Sequence, residues 1–259
     1  CTMKIKSHLV GACVLAPLAL FASVAAQAEV IVHGTRVLFP GKEREVTVRV
    51  QNTGKRAALV QAWTDDGSNE RSTPEAANAP FVLRPPMFRL DQGKSQVLRI
   101  LSTAADLPKD RESLYWLNVL DIPPTPSAKS EAEAAPNNYM QLSVRTRLKL
   151  IYRPEGLNAV DAAEAHEHLQ WSVIAHGSGW ALQANNPTPY YVNFSSVGLS
   201  ANGQNYPYSD IGLVAPASVA VFPLKGLNHK PAAGDVQFQY VNDQGAVRAQ
   251  SVPLAQAAR

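Results

Sequence analysis

The sequence predicts an all-β protein of two β-sandwich domains. Three observations carry this prediction. Short apolar runs recur at roughly 8–12-residue spacing between turn signals, as sandwich strands do. The 19 prolines and 15 glycines are spread among those runs as punctuation. No stretch keeps a helical period, and only 104–110 and 162–168 could form a short helical turn. At 259 residues, 46% apolar and 17% charged, the chain is long enough for two cores and too apolar for disorder.

Residues 1–28 read as a secretory signal peptide rather than as part of the fold. Met3-Lys4-Ile5-Lys6 is a short basic start, Leu9 to Ala25 is apolar and contains Pro17, and Ala26-Gln27-Ala28 is a small-x-small cleavage signal. An uncleaved membrane anchor would need a longer apolar stretch. Cys1 and Cys13 both fall in this segment. The expected mature chain, from about Glu29, therefore enters an oxidising compartment with no disulfide, no thiolate metal site and no cysteine nucleophile. Cleavage lowers Lys plus Arg from 24 to 22 and leaves Asp plus Glu at 21. A net charge near neutral is not a nucleic-acid footprint, so any important positive charge must act locally.

The expected first domain, 29–154, reads strand by strand. Val46 to Gln51 alternates strictly and stops at Asn52-Thr53-Gly54. Ala58 to Trp63 follows, and Asp65-Asp66-Gly67 turns it. Phe81-Val82-Leu83 runs into Pro85-Pro86, where ladder pairing should break and whose peptide isomers the sequence leaves open. Val97 to Leu101 and Leu114 to Ile122 are two more strands of an immunoglobulin-type sandwich. Pro123 to Asn138 holds four prolines among Ser, Ala, Lys and Glu and reads as a mobile loop.

Met140 to Leu150 is the most informative segment. Its even positions are apolar except Thr146; its odd positions, Gln141, Ser143, Arg145, Arg147 and Lys149, are all polar. That describes a two-faced strand roughly 36 Å long, about twice the usual length. One small sandwich has no core for the whole of that apolar row. Tyr152-Arg153-Pro154-Glu155-Gly156 ends the strand, and the domain boundary is placed there. In the second domain, 155–259, strands are read at Leu169–Ile174, Trp180–Ala184, Val192–Leu199, Val219–Phe222 and Val236–Val241, with turns at Asn202-Gly203 and Asp243-Gln244-Gly245. No residue-level repeat relates the two halves.

Catalytic signatures are missing from the sequence. There is no G-x-S-x-G, H-E-x-x-H or P-loop. His166-Glu167-His168 offers too few ligands for a metal and reads as a solvated turn. Asp65-Asp66 reads as a turn rather than a calcium pair. No metal site, cofactor or catalytic residue is predicted.

Several motifs coincide in order. They are Thr35-Arg36-Val37-Leu38-Phe39-Pro40, then Asp110 to Val119 (DRESLYWLNV) followed by Ile122-Pro123-Pro124, then Leu148 to Pro154 (LKLIYRP). Asn185 to Tyr191 (NNPTPYY) and Tyr240 to Gly245 (YVNDQG) lie in the second half. This set resembles the periplasmic chaperones of the chaperone–usher pilus pathway, across essentially the whole mature chain. The resemblance implies two immunoglobulin-like sandwiches in an L, with a cleft between them. It implies that the long strand is lent to a pilin lacking its own last strand, a mode of strand addition. It matches Arg36 and Lys149 to a pair binding the subunit's C-terminal carboxylate, and Met140, Leu142 and Val144 to the donated apolar residues. Glu112, Arg153 and Asp243 match an interdomain ion network. It implies pilin or fimbrial subunits and an outer-membrane usher as partners, periplasmic localisation, and no enzymatic activity; self-association of the empty chaperone is left open. The 123–138 loop lacks the cysteine pair that often marks the long-loop branch, which leans the chain towards the short-loop branch. A pilin or adhesin is disfavoured by the long strand. A chaperone-like protein with a non-fimbrial client, or a secreted carbohydrate-active sandwich enzyme, remains as the alternative reading.

Overall fold

The apolar alternation read above becomes paired strands in a computed structural model, which describes residues 30–69, 71–103, 107–123, 142–210 and 212–254. The expected signal peptide, most of the 123–138 loop and Met140 lie outside the described residues. In the first half the strands are β1 (Val30–Val32), β2 (Arg36–Pro40), β3 (Glu45–Asn52), β4 (Ala58–Asp65), β5 (Phe81–Arg84), β6 (Met87–Leu90), β7 (Ser95–Ser102), β8 (Ser113–Ile122) and β9 (Val144–Arg153). They form two sheets, β1-β3-β7-β5 and β2-β9-β8-β4-β6. Phe39, Val50, Val60, Leu98, Ile100, Leu117 and Leu150 fill the space between them. Pro85-Pro86 does break the ladder. β5 pairs with β7 in one sheet and β6 with β4 in the other, so the chain changes sheets across two residues that cannot donate. The Arg84–Pro85 peptide is cis.

β9 differs from the strand read at Met140–Leu150. It runs to Arg153, because β2 pairs with it in parallel from Arg36↔Lys149 to Pro40↔Arg153. At its other end Leu142 and Ser143 are described but not in a strand. The period-2 alternation holds: Leu148 and Leu150 are buried in the core, and Arg145, Arg147 and Lys149 share the opposite face.

The second half opens with a short helix α1 (Ala159–Glu164), whose N-cap Asn158 accepts from the Asp161 N–H at 2.8 Å, and a 3₁₀ turn at Ala165–His168. β10 (Gln170–His176), β11 (Gly179–Asn186), β12 (Val192–Ala201), β13 (Gln204–Pro207), β14 (Gly212–Val214), β15 (Ser218–Pro223), β16 (Asp235–Val241) and β17 (Val247–Pro253) follow. They form a sheet β10-β11-β15 and a sheet β13-β12-β16-β17, with β14 also on β12. A second core lies between them, centred on Trp171, Phe194, Phe222 and Phe238, with ring centroids 5.4–6.0 Å apart.

Candidate functional site

Two features of β9 meet where the domains touch: an edge that no described strand pairs along part of its length, and a pair of cations. On one side β8 pairs with β9 from Val144 to Tyr152. On the other, β2 begins only at Lys149, and no strand among the described residues lies beside 144–148 on that side. The N-terminal end of the apolar row is uncovered as well, with Leu142 66% and Val144 40% exposed, while Leu148 is buried. An exposed strand edge bearing apolar side chains is a template for another strand.

Arg36 and Lys149 are register partners where β2 starts. Both reach into the second domain. The Arg36 Nη1 donates to the Val241 carbonyl at 3.1 Å, and the Lys149 Nζ donates to the Asn193 Oδ1 at 2.6 Å. Arg36 Nε is buried with no hydrogen-bond partner among the described residues; a buried cationic donor of this kind can bind an anion. Burial, aided by repulsion from Arg36, lowers the Lys149 ammonium to about 8. Burial also pulls the Arg36 guanidinium below its ordinary value, with Asp243 opposing. A cavity of about 170 Å³ lies alongside, lined by Arg36, Arg153, Asn193, Tyr240 and Asp243 among others.

Glu112, Arg153 and Asp243 also come together. Arg153 Nε donates to Glu112 Oε1 at 2.7 Å, and its Nη1 and Nη2 donate to Asp243 at 2.8 and 3.1 Å. Glu112 ties the domains a second time by accepting the Tyr191 N–H at 2.7 Å, while its own N–H donates to the Pro189 carbonyl at 2.9 Å. Burial pushes the Glu112 carboxyl up, with Arg153 and the Tyr191 N–H pulling the other way. Burial lowers Arg153, but Asp243 and Glu112 outweigh it and the net shift is upward. Gly245, at φ +83°, packs on Thr35 so closely that a Cβ would collide with its hydroxyl.

Residues 29–158 match the family described as pili and flagellar-assembly chaperone, PapD N-terminal domain, and residues 164–252 match pili assembly chaperone PapD, C-terminal domain. The chain belongs to the pilus-assembly chaperone family. It is 40% identical over 219 residues to the probable fimbrial chaperone YadV of Escherichia coli, covering 84% of this chain and 87% of the relative. It is 41% identical over 229 residues to the chaperone protein MrkB of Klebsiella pneumoniae, covering 88% and 92%. The crystal structure of YadV superposes with a TM-score of 0.73, at 38% identity and covering 88% of this chain and 100% of that one. The SafB chaperone of Salmonella enterica, solved in complex with the SafA pilin, superposes at 0.67, with 28% identity and coverage of 86% and 94%. The protein is thus a fimbrial chaperone with a two-domain β fold, and chaperones of this family are not enzymes.

Two readings of the sequence need correction in this chaperone. Asp65 does not simply turn the chain. It is 2% exposed and accepts from Ser72 Oγ (2.7 Å), Asn118 Nδ2 (2.6 Å), Arg147 Nη2 (2.8 Å) and the Gly67 N–H (2.8 Å). Arg147 also lies over the Trp116 ring, 4.3 Å from its centroid. The Gly67 contact of Asp65 belongs to the turn, as does that of Asp66, which accepts the Ser68 N–H; the other three contacts of Asp65 are not turn contacts. His166 is not solvated either. It is 8% exposed and stacks on Tyr240 with centroids 3.8 Å apart, while Glu167 and His168 stay exposed. Asn193 was not singled out from sequence at all; only the packing of β12 against the first domain gives it meaning.

Proposed function

We propose that this protein is a periplasmic chaperone that holds a pilin subunit by donor-strand complementation and delivers it to an outer-membrane usher. The observation that carries this is the β9 edge at 144–148, beside which no described strand pairs on one side, ending at two half-buried cations. A subunit strand filling that edge would satisfy its own backbone groups and those of β9 together. With its C-terminal carboxylate at Arg36 and Lys149 it would run parallel to β9, continuing the line of β2. Two converging cations would fix its register. Val144, Leu142 and, beyond the described residues, Met140 would lend their side chains to the subunit's open core, each worth at most about 1.5–3 kcal/mol.

In this reading the network of Glu112, Arg153 and Asp243 holds the angle between a first domain ending near Pro154 and a second starting near Glu155. Residues 1–28 direct export to the periplasm. That SafB is solved with a pilin supports a fimbrial subunit as client. The usher would receive the loaded complex, and in the empty chaperone the same edge is open to a second copy. The test is co-expression in the periplasm with a tagged pilin encoded beside the gene. Wild type should protect and co-purify the pilin, and Arg36→Ala and Lys149→Ala, folded by circular dichroism, should not. Equal recovery with all three would sink the anchor; no recovery with wild type would point to a non-fimbrial client.

A further inference from the structure

Among the described residues, the acceptor of the Lys149 ammonium comes from the other domain. β9 belongs to the first sandwich, but the acceptor, Asn193 Oδ1 at 2.6 Å, sits on β12 of the second. Val192 and Phe194 point into the second core, so Asn193 lies on the opposite face of β12. It is nevertheless only 4% exposed. A lysine side chain has many rotamers, and fixing one in an empty cleft needs a partner. A neutral amide oxygen suits the purpose. It takes one of the three ammonium donors and leaves the charge and two donors for an incoming carboxylate. An acidic residue there would neutralise the charge it holds. Arg36 is treated in the same way, its Nη1 bound to the Val241 carbonyl of β16. The charged neighbour acting on Lys149 is Arg36 of β2, on which Asp243 acts in turn.

We propose that Asn193 is a positioning residue, reaching across from the second domain to hold the Lys149 ammonium where a client's terminal carboxylate binds. It rests on the reading of Arg36 and Lys149 as a carboxylate anchor. It makes the anchor depend on how the two domains are docked, since each cation donates a hydrogen bond to the second domain.

The test uses the full mature chain and one short peptide of alternating apolar and polar residues, made with a free C-terminal carboxylate or a C-terminal amide. Wild type should prefer the carboxylate form. Asn193→Ala should lose about five- to tenfold in affinity for the carboxylate peptide and nothing for the amide, the size of one ordinary net hydrogen bond. In a Lys149→Ala background Asn193→Ala should add no further loss. Asn193→Thr, which keeps an oxygen and suits a strand, should retain part of the preference. NMR titration of the Lys149 side chain supplies a readout that general loosening would not give: its midpoint should fall in Asn193→Ala, because an acceptor of the charged form is gone. If Lys149→Ala abolishes the preference while Asn193→Ala keeps both the preference and the midpoint, the role of Asn193 is refuted and the anchor stands. If Lys149→Ala keeps the preference, the anchor itself falls and the role of Asn193 with it.

Discussion

Replacing Lys149 with methionine should make the folded protein more stable while disabling it. Burial and Arg36 together lower this ammonium from 10.5 to about 8, so the cleft disfavours the charge that client binding would use. A shift of that size corresponds to about 3 kcal/mol at about 1.36 kcal/mol per pKa unit. Solvent still reaches part of the side chain and screens it, which leaves about 1–2 kcal/mol. Methionine matches the length of the stem without the charge. Asn193 lines the neighbouring cavity, where water can replace the lost donor. The folded pKa lies below the unfolded one, so the penalty is full below about pH 8 and fades as pH rises towards 10.5. Thermal and urea denaturation of wild type and Lys149→Met should show the variant melting a few degrees higher at pH 7. The gap should narrow by pH 10. A variant less stable at pH 7, or a gap indifferent to pH, would refute the reasoning.

Three more outcomes follow from the same geometry. Affinity for a carboxylate-ended peptide should drop about tenfold between pH 7 and pH 9, because a group titrating near 8 goes from mostly charged to mostly neutral; a profile flat through pH 9 in fluorescence anisotropy contradicts this. Arg153→Ala should cost about 3–5 kcal/mol in urea denaturation, since it leaves the buried Glu112 carboxylate without its cation and Asp243 without its clamp; a loss under about 1 kcal/mol would mean that the network is only peripheral. Asp65→Ala should cost about 3 kcal/mol by stranding Arg147, Asn118 and Ser72. Burial raises the Asp65 carboxyl, but the hydrogen bonds from Ser72, Arg147 and Asn118 bring it below its ordinary value. Its stabilisation is therefore present above the unfolded value of about 4 and is lost as pH falls through the lower folded one, and the gap to the variant should close in acid.

How much of this was legible in the sequence depended on whether a signal was local. The period-2 pattern of β9 needs only its own residues, so the strand and its two faces could be read directly. Its true ends could not, because β2, more than a hundred residues earlier in the chain, extends it to Arg153. The meeting of Glu112, Arg153 and Asp243 spans three distant segments, and only the ordered family motifs pointed to it. Asp65-Asp66-Gly67 has the composition of an exposed turn; its burial depends on Ser72, Asn118 and Arg147 converging from elsewhere. Asn193 sits inside an ordinary strand pattern, with nothing to distinguish it until the first domain covers it. The edge strand β17 is largely exposed and carries little apolar alternation, so periodicity was silent there.

The claim that β9 lends its edge to a client is tested most directly by amide hydrogen exchange on the chaperone alone and on its complex with a pilin. Protection should rise sharply at Val144–Leu148, where no strand among the described residues lies on one side, and change little from Lys149 to Arg153, where β2 is already paired. A stable complex in which 144–148 exchanges as fast as in the free protein would contradict strand lending and place the client on another surface.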